Sequence, residues 1–231
     1  METILTGLSE ALKMIVRGDS EVFQVTLLTM QISGAATLLS VATGIPLGIY
    51  LALRKFPGKS FMISLINTGM GLPPTVVGLW VSILLWRYGP FGALNIMYTP
   101  VAMLIAQFVI ASPIVTAFTI AAIQNLNPKL HLQILALGAS RFQYYLLLIK
   151  EAKFALAAAV IAGFGGVISE VGASMMVGGN IKGYTRVLTT ATVMEVSKGN
   201  FEIALALGTI LLVLAYSVTL LLTILQQREG K

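Results

Sequence analysis

The stretch from Val22 to Leu53 reads VFQVTLLTMQISGAATLLSVATGIPLGIYLAL and contains no acidic or basic residue. A helix of about 20 apolar residues crosses a hydrocarbon core of about 30 Å, so this stretch is long enough to span a bilayer. Other segments share this character, and Glu170 is the only charged residue in them: Ser60–Trp86, Tyr88–Pro128, Phe154–Ile181 and Ile203–Gln227. The sequence therefore predicts an all-α bundle inside a membrane.

The composition of the whole chain indicates the same class. Of its 231 residues, 57% are hydrophobic and 10% are charged, against about 25% charged residues in soluble domains. The chain has no cysteine, which excludes a disulfide scaffold. Its 15 basic residues are spread along the sequence, with only Arg54 and Lys55 adjacent, which excludes a nucleic-acid-binding protein.

About five membrane spans are predicted by the lengths of these segments. They lie near Val25–Leu53, Phe61–Trp86, Thr99–Gln124, Phe154–Gly178 and Phe201–Leu225. Residues 1–21 form a separate segment, in which Leu5, Leu8, Leu12 and Ile15 recur at helical spacing. This spacing predicts a short amphipathic helix lying at the membrane interface, followed by a transmembrane domain over residues 22–231.

The distribution of basic residues beside the spans favours an outside N-terminus and a cytoplasmic C-terminus, because cytoplasmic loops carry an excess of Lys and Arg. With that orientation the inner side holds nine basic residues: Arg54, Lys55, Lys59, Lys129, Arg141, Lys150, Lys153, Arg228 and Lys231. The outer side holds six: Lys13, Arg17, Arg87, Lys182, Arg186 and Lys198. We therefore expect a multi-pass protein of a prokaryotic cytoplasmic membrane.

The inner loop, residues 125–153, is the longest segment outside the spans. Asn127-Pro128 is a good helix start, and Gly138 is a natural helix end. The short helix between them is apolar, so it must press on lipid, on its own bundle or on a partner protein. The residues alone leave these three alternatives open.

A resemblance to a known family favours the last of these alternatives, a partner protein. Leu137-Gly138-Ala139-Ser140, with the aromatic Phe142 two residues later, resembles the coupling loop of ABC-importer permeases. The resemblance implies that these four residues seat an ATPase subunit. The flanks depart from that family's pattern: Leu132-Gln133-Ile134 occupies its Glu-Ala-Ala places, and Lys150-Glu151 stands where Leu-Pro is expected.

A second, more specific resemblance covers the fourth predicted span. Residues 163–181, GFGGVISEVGASMMVGGNI, are similar to the oxyanion branch of type I importer permeases, and most similar to its tungstate-type members. Gly71–Leu79 and Ala111–Val115 resemble the same branch. The resemblance implies a type I permease fold that works as a homodimer. It further implies an external ATPase that hydrolyses the ATP and a periplasmic or extracellular binding protein that delivers tungstate or molybdate. Sulfate or phosphate remains the alternative cargo.

The candidate translocation pathway, or gate, combines prolines with Glu170, the only charged residue within the apolar segments. Each proline deletes a backbone donor and displaces a carbonyl, so the sequence predicts kinks at two sites. We expect Glu170 to accept hydrogen bonds from hydroxyls or backbone donors of a kinked neighbour, although a gate contact or a direct ion site stays open. The pathway residues are Pro73, Pro74, Thr75, Ser112, Pro113, Ser169, Glu170 and Gly172.

Beyond the fourth span, Asn180, Lys182, Arg186 and Thr189 combine two positive charges with an amide and a hydroxyl. Such groups are typical of a site where a tetrahedral oxyanion first binds, which predicts an outer anion landing point. An ordinary solvated loop is the alternative interpretation.

Enzyme functions find little support in the sequence. It has one histidine, His131, no HExxH motif and no phosphate-binding loop, so neither catalysis nor a metal site nor a bound cofactor is expected. A secondary transporter or channel would also explain the kinked helices, and a purely structural subunit would explain the many glycines.

Overall fold

The computed structural model describes residues 2–17 and 19–228, where the chain is helical and contains no strand. The helices of this part are α1 Glu2–Arg17, α2 Ser20–Leu53, α3 Lys59–Met70, α4 Pro74–Leu85, α5 Pro100–Gln124, α6 Pro128–Ala136, α7 Arg141–Glu151, α8 Lys153–Ile168, α9 Gly172–Gly178, α10 Leu188–Ser197 and α11 Phe201–Arg228. The predicted all-α bundle is confirmed. Met1 and residues 229–231, which the predicted segments include, lie outside the described residues, as does Gly18.

Three helices of the described chain are long and apolar enough to cross a membrane, namely α2, α5 and α11. Two bent pairs bring the number to five if each pair counts as one span. The pair α3 and α4 bends by 104°, and the pair α8 and α9 bends by 59°. The second and fourth predicted spans are thus broken helices, whereas the other three are continuous.

Proline accounts for only one of the two breaks. The first falls at Gly71–Pro73, and Pro74 then begins α4, where its missing N–H leaves no hydrogen bond unmade. The second break, at Ser169–Val171, contains no proline. Conversely, α5 runs as one helix with Pro113 inside it, so this proline does not break the helix as the first pair of prolines does.

Close approach of α2 and α5 builds the core of the bundle. A methyl group at Gly48 would lie 2.6 Å from Cβ of Thr119, and one at Gly44 would lie 3.0 Å from Oγ1 of Thr116. Both threonine hydroxyls donate to carbonyls of their own helix, at 2.7 Å. The glycines of α2 therefore face threonines of α5 whose hydroxyls already have a hydrogen-bond partner. Such contacts between small residues are typical of tight packing between membrane helices.

The predicted N-terminal helix exists as α1 and packs on α11. A methyl group at Gly7 would lie 2.7 Å from Cβ of Leu205, and Ala11 is buried beside Leu207. The side of α1 that carries Gly7 and Ala11 is therefore covered by α11, whereas Leu8, on the predicted apolar face, is 45% exposed. The location of α1 at the membrane interface stays a prediction.

The helix α10 was not predicted from the sequence. Its first amide, that of Leu188, donates to Oγ1 of Thr29 on α2 at 2.9 Å, which ties its start to the bundle. It ends before Gly199, which has a φ of +80°. A glycine just past the last turn is a common helix end, so Gly199 was the one signal in the sequence that could have located this helix.

Candidate functional site

The two helix breaks lie side by side, because α4 packs on α9. A methyl group at Gly172 would lie 2.5 Å from Cγ2 of Thr75, and one at Gly78 would lie 2.6 Å from Cα of Ala173. Thr75 follows the first break directly and Gly172 follows the second. Two helix starts from distant parts of the chain therefore touch at the points where the chain changes direction.

The helix α5 packs against both broken spans. A methyl group at Gly69, near the end of α3, would lie 2.9 Å from the Pro113 ring. One at Gly163 on α8 would lie 2.8 Å from Cγ2 of Val115. Pro113 thus sits where α3 ends, close to the first break, and Ser112 precedes it on the same half-buried turn.

Glu170 holds the second break through hydrogen bonds at both ends of the residue. Its Oε1 accepts from the amide of Ala173 at 2.7 Å, which satisfies a donor in the first turn of α9. Its carbonyl accepts from the Thr189 hydroxyl at 2.9 Å. The Glu170 carboxylate therefore caps α9, the helix that follows it. A threonine hydroxyl from a neighbouring segment, as predicted for the side chain, bonds instead to the Glu170 backbone carbonyl. The residue is 6% exposed.

Ser169, in contrast, is exposed, and its hydroxyl donates to the Gly165 carbonyl at 3.0 Å. Pro73 and Thr75 are exposed as well, while Pro74 is half-buried. The structure therefore brings the predicted pathway residues together around two adjacent breaks. Within this group Glu170 is buried, whereas the hydroxyls of Ser169 and Thr75 belong to exposed residues.

We expect the substitution Gly78→Ala to destabilise the protein, because its methyl group would overlap backbone of α9. Overpacking of this kind costs about 1–3 kcal/mol. The midpoint of thermal unfolding in detergent should fall. Gly165→Ala on α8 is the matched control, because no neighbouring atom of the described part of the chain lies within 4 Å of the added methyl. Equal midpoints for the two variants would contradict the contact between α4 and α9.

The two cations of the predicted landing point share one carboxylate. Lys182 Nζ lies 2.6 Å from Oε2 of Glu21, and Arg186 Nη1 lies 3.3 Å from its Oε1. The Arg186 side chain is 14% exposed. Glu21 belongs to the first turn of α2. Sequence reasoning missed this acid, because no local spacing links residue 21 to residues 182 and 186.

The other two landing residues are placed differently. Thr189 is buried and its hydroxyl is engaged by the Glu170 carbonyl, so it belongs to the break and not to the loop surface. Asn180 has a φ of +51°, and its Oδ1 is buried with no hydrogen-bond partner among the described residues. Of the four residues, only Lys182 and Arg186 form a common charged site.

A cavity of about 370 Å³ adjoins this charged site, and Glu195 on α10 lines it as well. Hydrogen bonds from Asn200 at 2.7 Å and Lys198 at 2.8 Å lower the pKa of Glu195, and the nearby Arg186 charge adds to the effect. A lowered folded-state pKa means that the stability from this carboxylate is present at neutral pH. It is lost as the pH falls through that lowered pKa.

The predicted coupling loop folds as two short helices with local caps. The Asn127 side chain accepts from the amide of Lys129 at 2.9 Å at the start of α6, as predicted. Gly138 ends the turn with a φ of +71°. Ser140 begins α7 through a reciprocal pair: its amide donates to Gln143 Oε1 at 2.8 Å, and its Oγ accepts from the Gln143 amide at 3.3 Å.

This loop presents apolar side chains to its surroundings. Ile134 is buried against the bundle, but Leu137 is 85% exposed and Leu132 69% exposed. Phe142 at the start of α7 is exposed too. The sequence left three surroundings open for α6: lipid, its own bundle or a partner protein. The side that carries Ile134 packs on the bundle, and no described residue covers Leu132 or Leu135 on the other side.

A known protein family matches most of this chain. The family described as "Binding-protein-dependent transport system inner membrane component" matches residues 44–231. The chain belongs to this permease family. Members of the family are membrane components of transport systems, so the chain is a transport subunit of the inner membrane.

Two relatives match most of the permease. The tungstate uptake system permease protein TupB of Peptoclostridium acidaminophilum is 37% identical over 98% of this chain and 100% of its own length. A probable anion ABC transporter permease protein of Haloferax volcanii is 40% identical over 85% of this chain and 87% of its own length.

A solved structure matches the fold. It is the crystal structure of a bacterial ABC transporter involved in the import of the acidic polysaccharide alginate. The TM-score is 0.72 over 94% of this permease and 83% of that chain, at 19% identity. At that identity the likeness shows the type I permease fold alone.

Proposed function

We propose that this permease carries tungstate across the cytoplasmic membrane as the membrane subunit of an ATP-driven importer, with molybdate as the close alternative. The observation that carries the proposal is the pair of adjacent helix breaks, packed at Thr75 and Gly172. Broken helices inside a membrane are tolerated where protein or a water-filled cavity covers the freed backbone. The 37% identity to a tungstate uptake permease over nearly the whole chain supports the choice of cargo.

We propose further that two copies of the chain enclose the pathway. The helix α3 has no buried residue in the single chain. Thr75 and Ser169 beside the breaks are exposed as well. A second copy facing this surface would cover it and close a path between the two subunits. A homodimer would also present two coupling loops, one for each subunit of an ATPase pair.

The orientation in this proposal has the N-terminus outside and the C-terminus in the cytoplasm. It rests on the excess of basic residues beside the predicted inner ends of the spans. It places the exposed face of α6 and Leu137 on the cytoplasmic side, where an ATPase subunit can contact them. Leu137, Gly138, Ala139 and Ser140 then form the ATPase seat. The charged site of Lys182 and Arg186 lies on the outer side, where a binding protein delivers its cargo.

Reconstituted vesicles test the function directly. The permease is combined with its cognate ATPase and binding protein, and uptake of radioactive tungstate is measured with ATP and without it. We expect uptake that requires both partners and ATP. Uptake without ATP would indicate a secondary transporter or channel. Uptake of sulfate or phosphate but not tungstate would place the permease in another branch of the family.

We propose that Lys182 and Arg186 form the outer landing point for the anion, and that Glu21 occupies it at rest. The double variant Lys182→Glu, Arg186→Glu should lower tungstate uptake from saturating loaded binding protein several-fold. The reason is that three carboxylates would then meet where an anion must bind. The measurement is the initial rate of uptake in vesicles, with ATPase docking assayed separately by co-purification.

Glu21→Gln separates this landing role from a purely structural ion pair. If Lys182 and Arg186 receive the anion, releasing them from Glu21 should leave uptake equal to wild type or higher. If they only join α2 to the loop after α9, Glu21→Gln should lower uptake as the double charge reversal does. A loss of uptake in both variants would therefore refute the landing point.

A further inference from the structure

The helix α3 presents two different exposed strips. At about 100° per residue, Ser60, Ser64, Asn67 and Thr68 share one strip, and all four are exposed. They line an open groove of about 550 Å³. Beside this strip, about 60° and 100° around the helix from Ser64, lie Phe61 and Leu65, which are 73% and 63% exposed. An apolar strip suits lipid or protein, whereas a strip of three hydroxyls and an amide suits water.

The polar strip points away from the bundle. Gly69 marks the side of α3 that touches α5, through the Pro113 ring, and it lies about 140° around the helix from Ser64. Within the described residues, no side-chain hydrogen bond engages Ser64, Asn67 or Thr68. Elsewhere in the spans, hydroxyls such as Thr37 and Ser40 donate to the carbonyl four residues earlier. The donors on α3 are therefore available to a ligand.

The charges around the strip favour an anion. The strip begins beside Arg54, Lys55 and Lys59, and Lys59 Nζ donates to the Ala52 carbonyl at 3.0 Å. No acidic residue occurs between Val22 and Lys150. The other end of the strip reaches the first helix break, because the Thr68 carbonyl accepts from the Gly71 amide at 3.0 Å.

We propose that the polar strip of α3, formed by Ser60, Ser64, Asn67 and Thr68, is a weak binding track for the hydrated tetrahedral oxyanion between the first helix break and the basic end of α3. The inference rests on the proposed function, because it assumes that the cargo is an anion. Neutral hydroxyl and amide donors bind such an anion weakly and release it readily, since no lysine or arginine faces the anion along the strip. The three cations at its end raise the local anion concentration.

The chain contains no cysteine, so a single introduced thiol is the only one in the permease. Ser64→Cys and Asn67→Cys test the polar strip, and Phe61→Cys and Leu65→Cys are the matched controls on the same helix. The probe is 2-sulfonatoethyl methanethiosulfonate, a negatively charged thiol reagent, applied to the assembled transporter in vesicles. We expect the first pair to react at least tenfold faster than the second, and millimolar tungstate to slow that reaction.

Equal reaction rates on the two strips, or fast reaction that tungstate and sulfate leave unchanged, would overturn the proposal. Slow reaction at Ser64→Cys with disulfide formation between copies would show a helix contact in place of a water-filled track. Labelling and protection do not require transport. A failure of tungstate uptake with intact protection therefore refutes the proposed function alone.

A functional variant completes the test. Asn67→Leu should lower the maximal rate of tungstate uptake about tenfold, whereas Asn67→Gln, which keeps the amide, should retain most of it. ATP hydrolysis stimulated by the binding protein should persist in Asn67→Leu, because the strip is distant in sequence from the coupling loop. Equal uptake by the two variants would show that the amide donor plays no part.

Discussion

Replacing Glu170 with alanine should abolish uptake while leaving protein in the membrane. The alanine side chain cannot accept from the Ala173 amide, which Glu170 Oε1 binds at 2.7 Å. An unsatisfied buried donor costs about 1–3 kcal/mol, and the start of α9 would lose the bond that fixes its direction. Because Gly172 touches Thr75, a shift of α9 would disturb the first break too. Uptake in vesicles and the amount of inserted protein measure the two effects separately.

The substitution Glu170→Gln shows whether the side chain acts by capping α9 or through its negative charge. Glutamine keeps a carbonyl acceptor for the Ala173 amide and removes only the negative charge, so a capping role predicts that much of the uptake survives. Loss in Glu170→Gln equal to that in Glu170→Ala would instead indicate a direct role of the charge. Glu202→Ala is the matched control, because this glutamate in the first turn of α11 is exposed and takes no part in the two hydrogen bonds of Glu170.

The sequence predicts the spans well, because the length of an uncharged segment decides whether it can cross a bilayer. It also predicts the first break, since Pro73 and Pro74 follow two glycines. The second break has no comparable local signature. Ser169 to Val171 interrupts the helix where the Glu170 carboxylate and the Thr189 hydroxyl supply hydrogen-bond partners, and Thr189 comes from a segment that only the fold brings near.

The difference between local and distant partners also explains the coupling loop and the loop of Lys182 and Arg186. Caps are local, so Asn127-Pro128 and Gly138 located α6 correctly from the sequence alone. Ion pairs between distant segments are not local. Lys182 and Arg186 were identified as a charged pair, but their partner Glu21 lies at the other end of the chain and has no sequence pattern that links it to them.

Gly138→Val should uncouple ATP hydrolysis from uptake in the assembled transporter. Gly138 has a φ of +71°, a conformation that costs an ordinary residue about 1–2 kcal/mol and is least tolerated by β-branched side chains. No neighbouring atom of the described residues lies within 4 Å of an added Cβ, so we expect any steric conflict to come from a partner. We expect normal insertion, retained ATP hydrolysis and strongly reduced tungstate uptake per ATP.

Two comparisons separate docking from backbone strain. Asparagine tolerates the left-handed conformation but still adds a side chain, so Gly138→Asn should uncouple nearly as much as Gly138→Val if the ATPase packs against this glycine. Gly199→Val imposes the same strain, at a φ of +80° and in open space, in the turn between α10 and α11, away from the coupling loop. It should leave the ratio of uptake to ATP hydrolysis unchanged. Uncoupling by Gly199→Val but not by Gly138→Asn would show that strain, and not contact with the ATPase at Gly138, controls the coupling.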